Sequence, residues 1–125
     1  MRDFIVCISI LILVFTASYF SEKYLIESGN NLVSRLNVIK DEIEEDSMEN
    51  MQELNKIKKE WDKMERNWNM LSNHISTDNI ELAFTRLLIS YGENEKSECL
   101  VNIAEVIALI QDTPRSEKID WENIL

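Results

Sequence analysis

The sequence predicts an all-α protein: an N-terminal transmembrane helix followed by an antiparallel up-and-down helical bundle of about four helices. Three observations predict it. The chain opens on an uncharged apolar run, Phe4 to Phe20. The remainder places apolar residues at alternating steps of three and four. Only two glycines and one proline occur in 125 residues, which leaves few breaks between long helices.

The opening run, FIVCISILILVFTASYF, is seventeen residues long. As a helix it covers about 25 Å, slightly short of the ~30 Å hydrocarbon core but within the range of lengths that span one. Tyr19 and Tyr24 are placed for the headgroup layer, and Arg2 for snorkelling outward. A cleaved signal peptide is the rival reading. Its apolar region usually runs about 7 to 15 residues and closes on small residues, whereas here Thr16, Ala17 and Ser18 are still followed by Tyr19 and Phe20. Cys7 stands too near the start to be a lipidated cysteine behind a signal. The run therefore reads as an uncleaved, single-pass signal anchor that meets membrane lipid. A short basic leader, Arg2 and the free amine, stays in the cytoplasm. The expected organisation is a cytoplasmic stub and anchor over 1–21 and an acidic extracytoplasmic bundle over 22–125.

Beyond the anchor, Glu22 to Glu45 carries Leu25, Leu32, Leu36, Ile39 and Ile43, one apolar stripe on a helix. Gly29, followed by Asn30 and Asn31, predicts a bend between anchor and bundle, since glycine weakens a helix by about 1 kcal/mol relative to alanine. The acidic run Asp41 to Asp46 suits the start of a helix better than the negative end of one. Asp46 and Glu49 have the spacing of a capping box. They predict a second helix through Met51, Leu54, Ile57, Trp61, Met64, Trp68, Leu71 and Ile75. Thr77 or Asp78 caps a third, carrying Ile80, Ala83, Phe84, Leu87, Leu88 and Tyr91, and Gly92 stops it. A fourth begins between Asn94 and Ser97 and runs through Cys99, Leu100, Ile103, Val106, Ile107 and Ile110 until Pro114 ends it. The tail, Ser116 to Leu125, adds one capped turn that tucks Ile119, Trp121, Ile124 and Leu125 against the bundle.

The net charge of -10 excludes a nucleic-acid partner, which requires a basic stripe, and disfavours a close embrace of anionic headgroups. Cys7 and Cys99 are too far apart in this organisation to form a disulfide, and Cys99 reads as an inert small hydrophobe.

Trp61, Trp68, Leu71, His74, Asp78, Ile80 and Glu81, then the amphipathic third and fourth helices, Pro114 and the closing Asn123-Ile124-Leu125, make up a pattern over essentially the whole chain. It resembles domain of unknown function 4363, a family of small single-pass membrane proteins of spore-forming, low-GC bacteria. The resemblance implies a bacterial cell membrane and a helical fold, and no activity. Ser76 departs from the family pattern, where an acidic residue is common. The candidate family-motif residues are Trp61, Trp68, His74 and Asp78.

The chemistry these residues suggest is limited. His74 and Asp78 are four apart, with Glu81 a third donor, yet the chain has a single histidine and position 71 is leucine rather than the glutamate of a di-iron motif. A hydrogen bond or helix cap from Asp78, oriented by His74, is the expected role, with no metal and no cofactor. Tryptophans seven apart among Met and Leu read as core rather than as an aromatic cage. No nucleophile has a base beside it, and the carboxylates are expected on solvated faces with nothing to raise a pKa. The first expectation is a non-enzymatic, membrane-anchored helical interaction module docking on another membrane or envelope protein. The alternatives are a structural coiled-coil stem of an envelope or division-type assembly, homodimeric through Leu32 and Leu36, and a small-ligand sensory bundle around Trp61 and Trp68.

Overall fold

The computed structural model describes the backbone of residues 1–71 and 74–124 and the side chains of residues 1–71 and 75–113. Four helices follow one another: α1 (Arg2–Glu44), α2 (Met51–Leu71), α3 (His74–Gly92) and α4 (Lys96–Ile124). Among the described residues each packs on two others, in the cyclic order α1, α2, α3, α4 and back to α1. Short connections between successive helices make neighbours antiparallel, the up-and-down arrangement expected of the pattern. The core is filled from all four, with Leu36, Ile57, Trp61, Trp68, Phe84 and Ile103 completely enclosed.

The N-terminal apolar run and the first bundle helix are a single element. α1 passes unbroken across the expected boundary at 21 and 22 and across Gly29, where a bend was predicted. Its apolar first half is exposed from Phe4 to Phe20, with Phe4 69% and Phe15 66% accessible, and burial begins at Leu25. Gly29 serves a close approach instead of a bend. It is buried, and a Cβ added there would lie 3.1 Å from Ile110 Cγ2 and 3.3 Å from Trp68 Cη2. The missing side chain lets α2 and α4 close on α1 at one level.

The helix ends differ from the sequence reading in a consistent way. Asp46 does not cap α2; it is the left-handed residue that terminates α1, with φ 64°. The Asp46 N–H donates to Ile43 O at 3.0 Å and the Ser47 N–H to Glu42 O at 2.8 Å, the paired bonds of a Schellman motif. Asn50 precedes α2 instead, its carbonyl accepting from the Leu54 N–H at 3.2 Å. α3 ends at Gly92, as predicted, but the glycine is its last helical residue rather than the one that turns the chain out of the helix. Asn94, φ 56°, takes the left-handed position, with Asn94 N–H to Tyr91 O at 3.2 Å and Glu95 N–H to Ser90 O at 3.1 Å. Asparagine and aspartate tolerate this conformation better than other residues with a side chain.

α2 ends at Leu71, so Ile75 belongs to α3 and is 67% exposed; Leu71 itself is 37% exposed rather than core. α3 begins at His74, ahead of both predicted caps. Thr77 is buried and its hydroxyl donates across to Asn69 Oδ1 on α2, while Asp78 is exposed. Pro114 lies inside α4 rather than after it. A proline removes its own N–H and crowds the carbonyl four residues back, a local cost of about 3 kcal/mol, but leaves the bonds on either side intact. The expected packing of Ile119, Trp121, Ile124 and Leu125 lies outside the described residues.

Polar contacts at the rim fix the order of the helices. Arg35 of α1 reaches Glu53 Oε1 at 2.7 Å and also pairs with Glu60, both on α2. Lys96 at the start of α4 donates to Asp46 Oδ1 at 2.6 Å. The Asn50 N–H donates to Tyr91 Oη at 2.7 Å, joining the start of α2 to the end of α3.

The notch at Gly29 gives a sharp expectation. Alanine for glycine in an open helix gains about 1 kcal/mol, but overpacking against fixed neighbours costs about 1 to 3 kcal/mol. Ile110 is 1% exposed, and Trp68 is fully enclosed and hydrogen-bonded. Gly29→Ala should therefore lower the thermal midpoint rather than raise it, and Gly29→Leu should lower it further. A stabilised Gly29→Ala protein in a melting experiment would show the notch to be slack.

Candidate functional site

Trp61 and Trp68 face inward from α2 because their seven-residue separation returns them to one side of the helix. Both are fully buried, edge to face with ring centroids 5.5 Å apart. Trp61 also stacks on Phe84 of α3 at 6.1 Å. Their faces are covered by other side chains, as expected of core tryptophans, with no open cage. An indole N–H in such a core needs an acceptor. Trp68 Nε1 donates to Ser28 Oγ of α1 at 3.1 Å, and Trp61 Nε1 to Glu81 Oε2 of α3 at 2.9 Å.

Glu81 is the centre of the polar cluster. Its other oxygen accepts from Lys58 Nζ at 2.8 Å, and Lys58 also bonds to Asp62. Asp62 is thus turned to Lys58, the residue four before it, rather than to Arg66 four after it. Burial works against the Lys58 ammonium, but the hydrogen bonds to Asp62 and Glu81 prevail and raise its pKa. Glu65 completes the group, with carboxylate oxygens of Asp62, Glu65 and Glu81 all within 4.8 Å of one another.

This cluster corrects the expectation that no carboxylate would be perturbed. Burial raises the Glu65 pKa, and the charge of Glu81 adds to it; Lys58 pulls the other way, and Asp62 and Asp78 raise it again. Three carboxylates at this spacing are a donor set for a hard cation. Lys58 already pairs with two of them, Asp62 and Glu81, which makes the arrangement an ion-pair network that remains net negative.

Of the candidate motif residues, Trp61 and Trp68 come together in the core. Asp78 lies exposed on α3 near Glu65, close enough to influence it, and does not cap the helix. His74 opens α3, but its side chain lies outside the described residues. Glu81 was weighed only as a possible metal ligand beside His74. Lys58, Glu65 and Ser28 are additions of the structure. The one signal for them was the need of each indole for an acceptor; which residue supplies it depends on how α1 and α3 lie against α2. Cys99 is buried, and that burial raises its thiol pKa against a hydrogen bond to Ser90, which keeps it unreactive.

A second feature lies on the opposite side of α3. Arg86, Ile89 and Ser90 of α3 and Glu98, Val101 and Asn102 of α4 line an open groove. Asn102 Nδ2 donates to Ser90 Oγ at 3.0 Å across its floor, and Arg86 meets Glu105 at 3.5 Å at its edge. Ile89 and Val101 are 57% and 67% exposed, and Leu82, two turns before Ile89, is 51% exposed.

Over residues 19–124 the chain matches the model of the family described as domain of unknown function (DUF4363), and it belongs to that family. No curated protein and no solved structure matches it.

Two outcomes test the Glu81 cluster. Glu81→Ala leaves a buried indole N–H without its acceptor and should cost about 1 to 3 kcal/mol; Glu81→Gln keeps an acceptor and should cost less. Chemical denaturation of both proteins checks the order. For Glu65 the folded pKa lies above the unfolded one, so its ionisation opposes folding. That loss of stability sets in as pH rises from the ordinary glutamate range through the raised value. Glu65→Gln should be more stable than the parent at neutral pH, with the difference closing in acid; equal melting at neutral pH would count against it.

Proposed function

We propose that this protein is a non-enzymatic, membrane-anchored docking module that presents the α3–α4 face of its bundle to another membrane or envelope protein. The observation that carries the reading is the exposure of Ile89 and Val101 in the lining of a groove between α3 and α4, with Leu82 exposed two turns before Ile89 on the same helix. Exposed branched side chains grouped around a concave surface favour helix-in-groove or helix-to-helix recognition.

Anchoring is supported by α1, which is long and apolar enough to cross a membrane; among the described residues its most apolar stretch is not buried. We place the protein in the bacterial cell membrane as a single-pass signal anchor, with the leader of Arg2 inside and the acidic bundle outside. In that orientation the groove faces away from the bilayer, because α4 starts beside Asp46 at the far end of α1. A coiled-coil stem ranks lower, since Leu32, Leu36, Ile39 and Ile43 are already buried in the chain's own bundle. A sensory bundle ranks lower as well, because Trp61 and Trp68 close on each other and on Phe84.

Ile89→Asp combined with Val101→Asp alters only exposed positions and should leave the melting temperature within the ±0.5 kcal/mol typical of surface changes. The same protein should lose the crosslinked species that the parent forms with a second polypeptide in intact cells. A crosslink pattern unchanged by the pair, or one showing monomer alone for the parent, would overturn the reading.

A further inference from the structure

The antiparallel register of α1 and α2 can be read at both ends. Far from the anchor, Asn50 Nδ2 meets Glu42 Oε2 at 3.2 Å; near it, Asn67 Nδ2 meets Tyr24 Oη at 3.3 Å. One further turn on each helix, about 6 Å, brings Leu71 level with Phe20, where the apolar run ends. Because α1 is continuous, nothing separates this level from the anchor.

The residues that arrive there are apolar and exposed. Met70 is 79% accessible, Leu71 37% and Ile75 67%. Elsewhere in the bundle the exposed large hydrophobics of the described residues, such as Val38, Leu82 and Val101, are spaced more widely along their helices. Three within a single turn-and-a-half of sequence, at the height of the lipid boundary, form one small apolar end. Arg66 and Lys63 are exposed on the preceding turn, as is common for side chains that border headgroups.

From this continuity with the anchor we infer a second membrane contact: the end of α2 and the first turn of α3, through Met70, Leu71 and Ile75, dip into the lipid interface beside α1. The bundle then rests on the bilayer at two points. It rests on the anchoring proposed above and adds to it. The contact is with acyl chain and headgroup boundary rather than with anionic charge, since the end is apolar and the bundle strongly acidic, so a zwitterionic lipid suffices.

The test uses the full chain carrying Cys7→Ser, with Cys99 left buried, reconstituted in phosphatidylcholine vesicles. A single environment-sensitive fluorophore is attached at Met70→Cys, at Val101→Cys on the far side, or at Leu13→Cys inside the anchor. The label at 70 should emit blue-shifted and lose most of its intensity to nitroxide-bearing lipid, as at 13, while the label at 101 stays responsive to aqueous iodide alone. Quenching at 13 without quenching at 70 would overturn the second contact and leave the anchor standing. No quenching at 13 would overturn the anchor reading. A label at 70 shielded from both quenchers would point to a second copy of the chain and also overturn the lipid contact. Met70→Asp with Leu71→Asp, melting as the parent does, should make a label at Ile75→Cys accessible to iodide; continued shielding there would argue against insertion.

Discussion

The bundle depends on the approach of three helices at Gly29. Trp68 from α2 and Ile110 from α4 press toward the α1 backbone where a side chain is missing, and Trp68 is held in place by its bond to Ser28 one residue away. A tryptophan is too large to shift by a few tenths of an ångström once it is hydrogen-bonded and enclosed, so the spacing of α1, α2 and α4 is set there. Trp61 continues the same layer toward α3 by stacking on Phe84. In this way two indoles on one helix tie it to α1 and to α3.

Polar groups follow from that packing. Burying two indoles requires two acceptors, and the neighbours that supply them, Ser28 and Glu81, lie on different helices. Glu81 then draws in Lys58, which reaches Asp62 in turn. Glu65 sits close to the same carboxylates and bears the electrostatic cost of the arrangement. No buried side-chain nitrogen or oxygen among the described residues lacks a partner. The cluster is therefore better understood as the polar counterpart of the tryptophan core than as a reaction centre.

Helix identity and the inward faces were legible in the sequence because periodicity reports burial directly. Leu32, Leu36, Leu54, Trp61, Phe84 and Ile103 are all where their spacing puts them. Helix ends were not legible, for a definite reason. Asp46 and Asn94 are residues that serve both to begin a helix and to leave one, and the choice is made by whether the backbone turns left-handed. Gly29 provides room for neighbours instead of a bend, and Gly92 marks the end of α3 without being its left-handed residue. Pro114 shows the limit of reading proline as a stop. Ile89 and Val101 fall off the apolar stripes of α3 and α4, but that they line one groove depends on how the two helices are placed.

The unbroken course of α1 has a mechanical meaning. A joint at Gly29 would let the bundle tumble relative to the apolar half of α1. A stiff rod of 43 residues denies that freedom. Any roll or tilt of the apolar half swings the whole bundle through the same angle, as a key turns its bit. The azimuth of the exposed Ile89 and Val101 is thereby decided at the other end of the rod, by whatever grips the residues between Phe4 and Phe20.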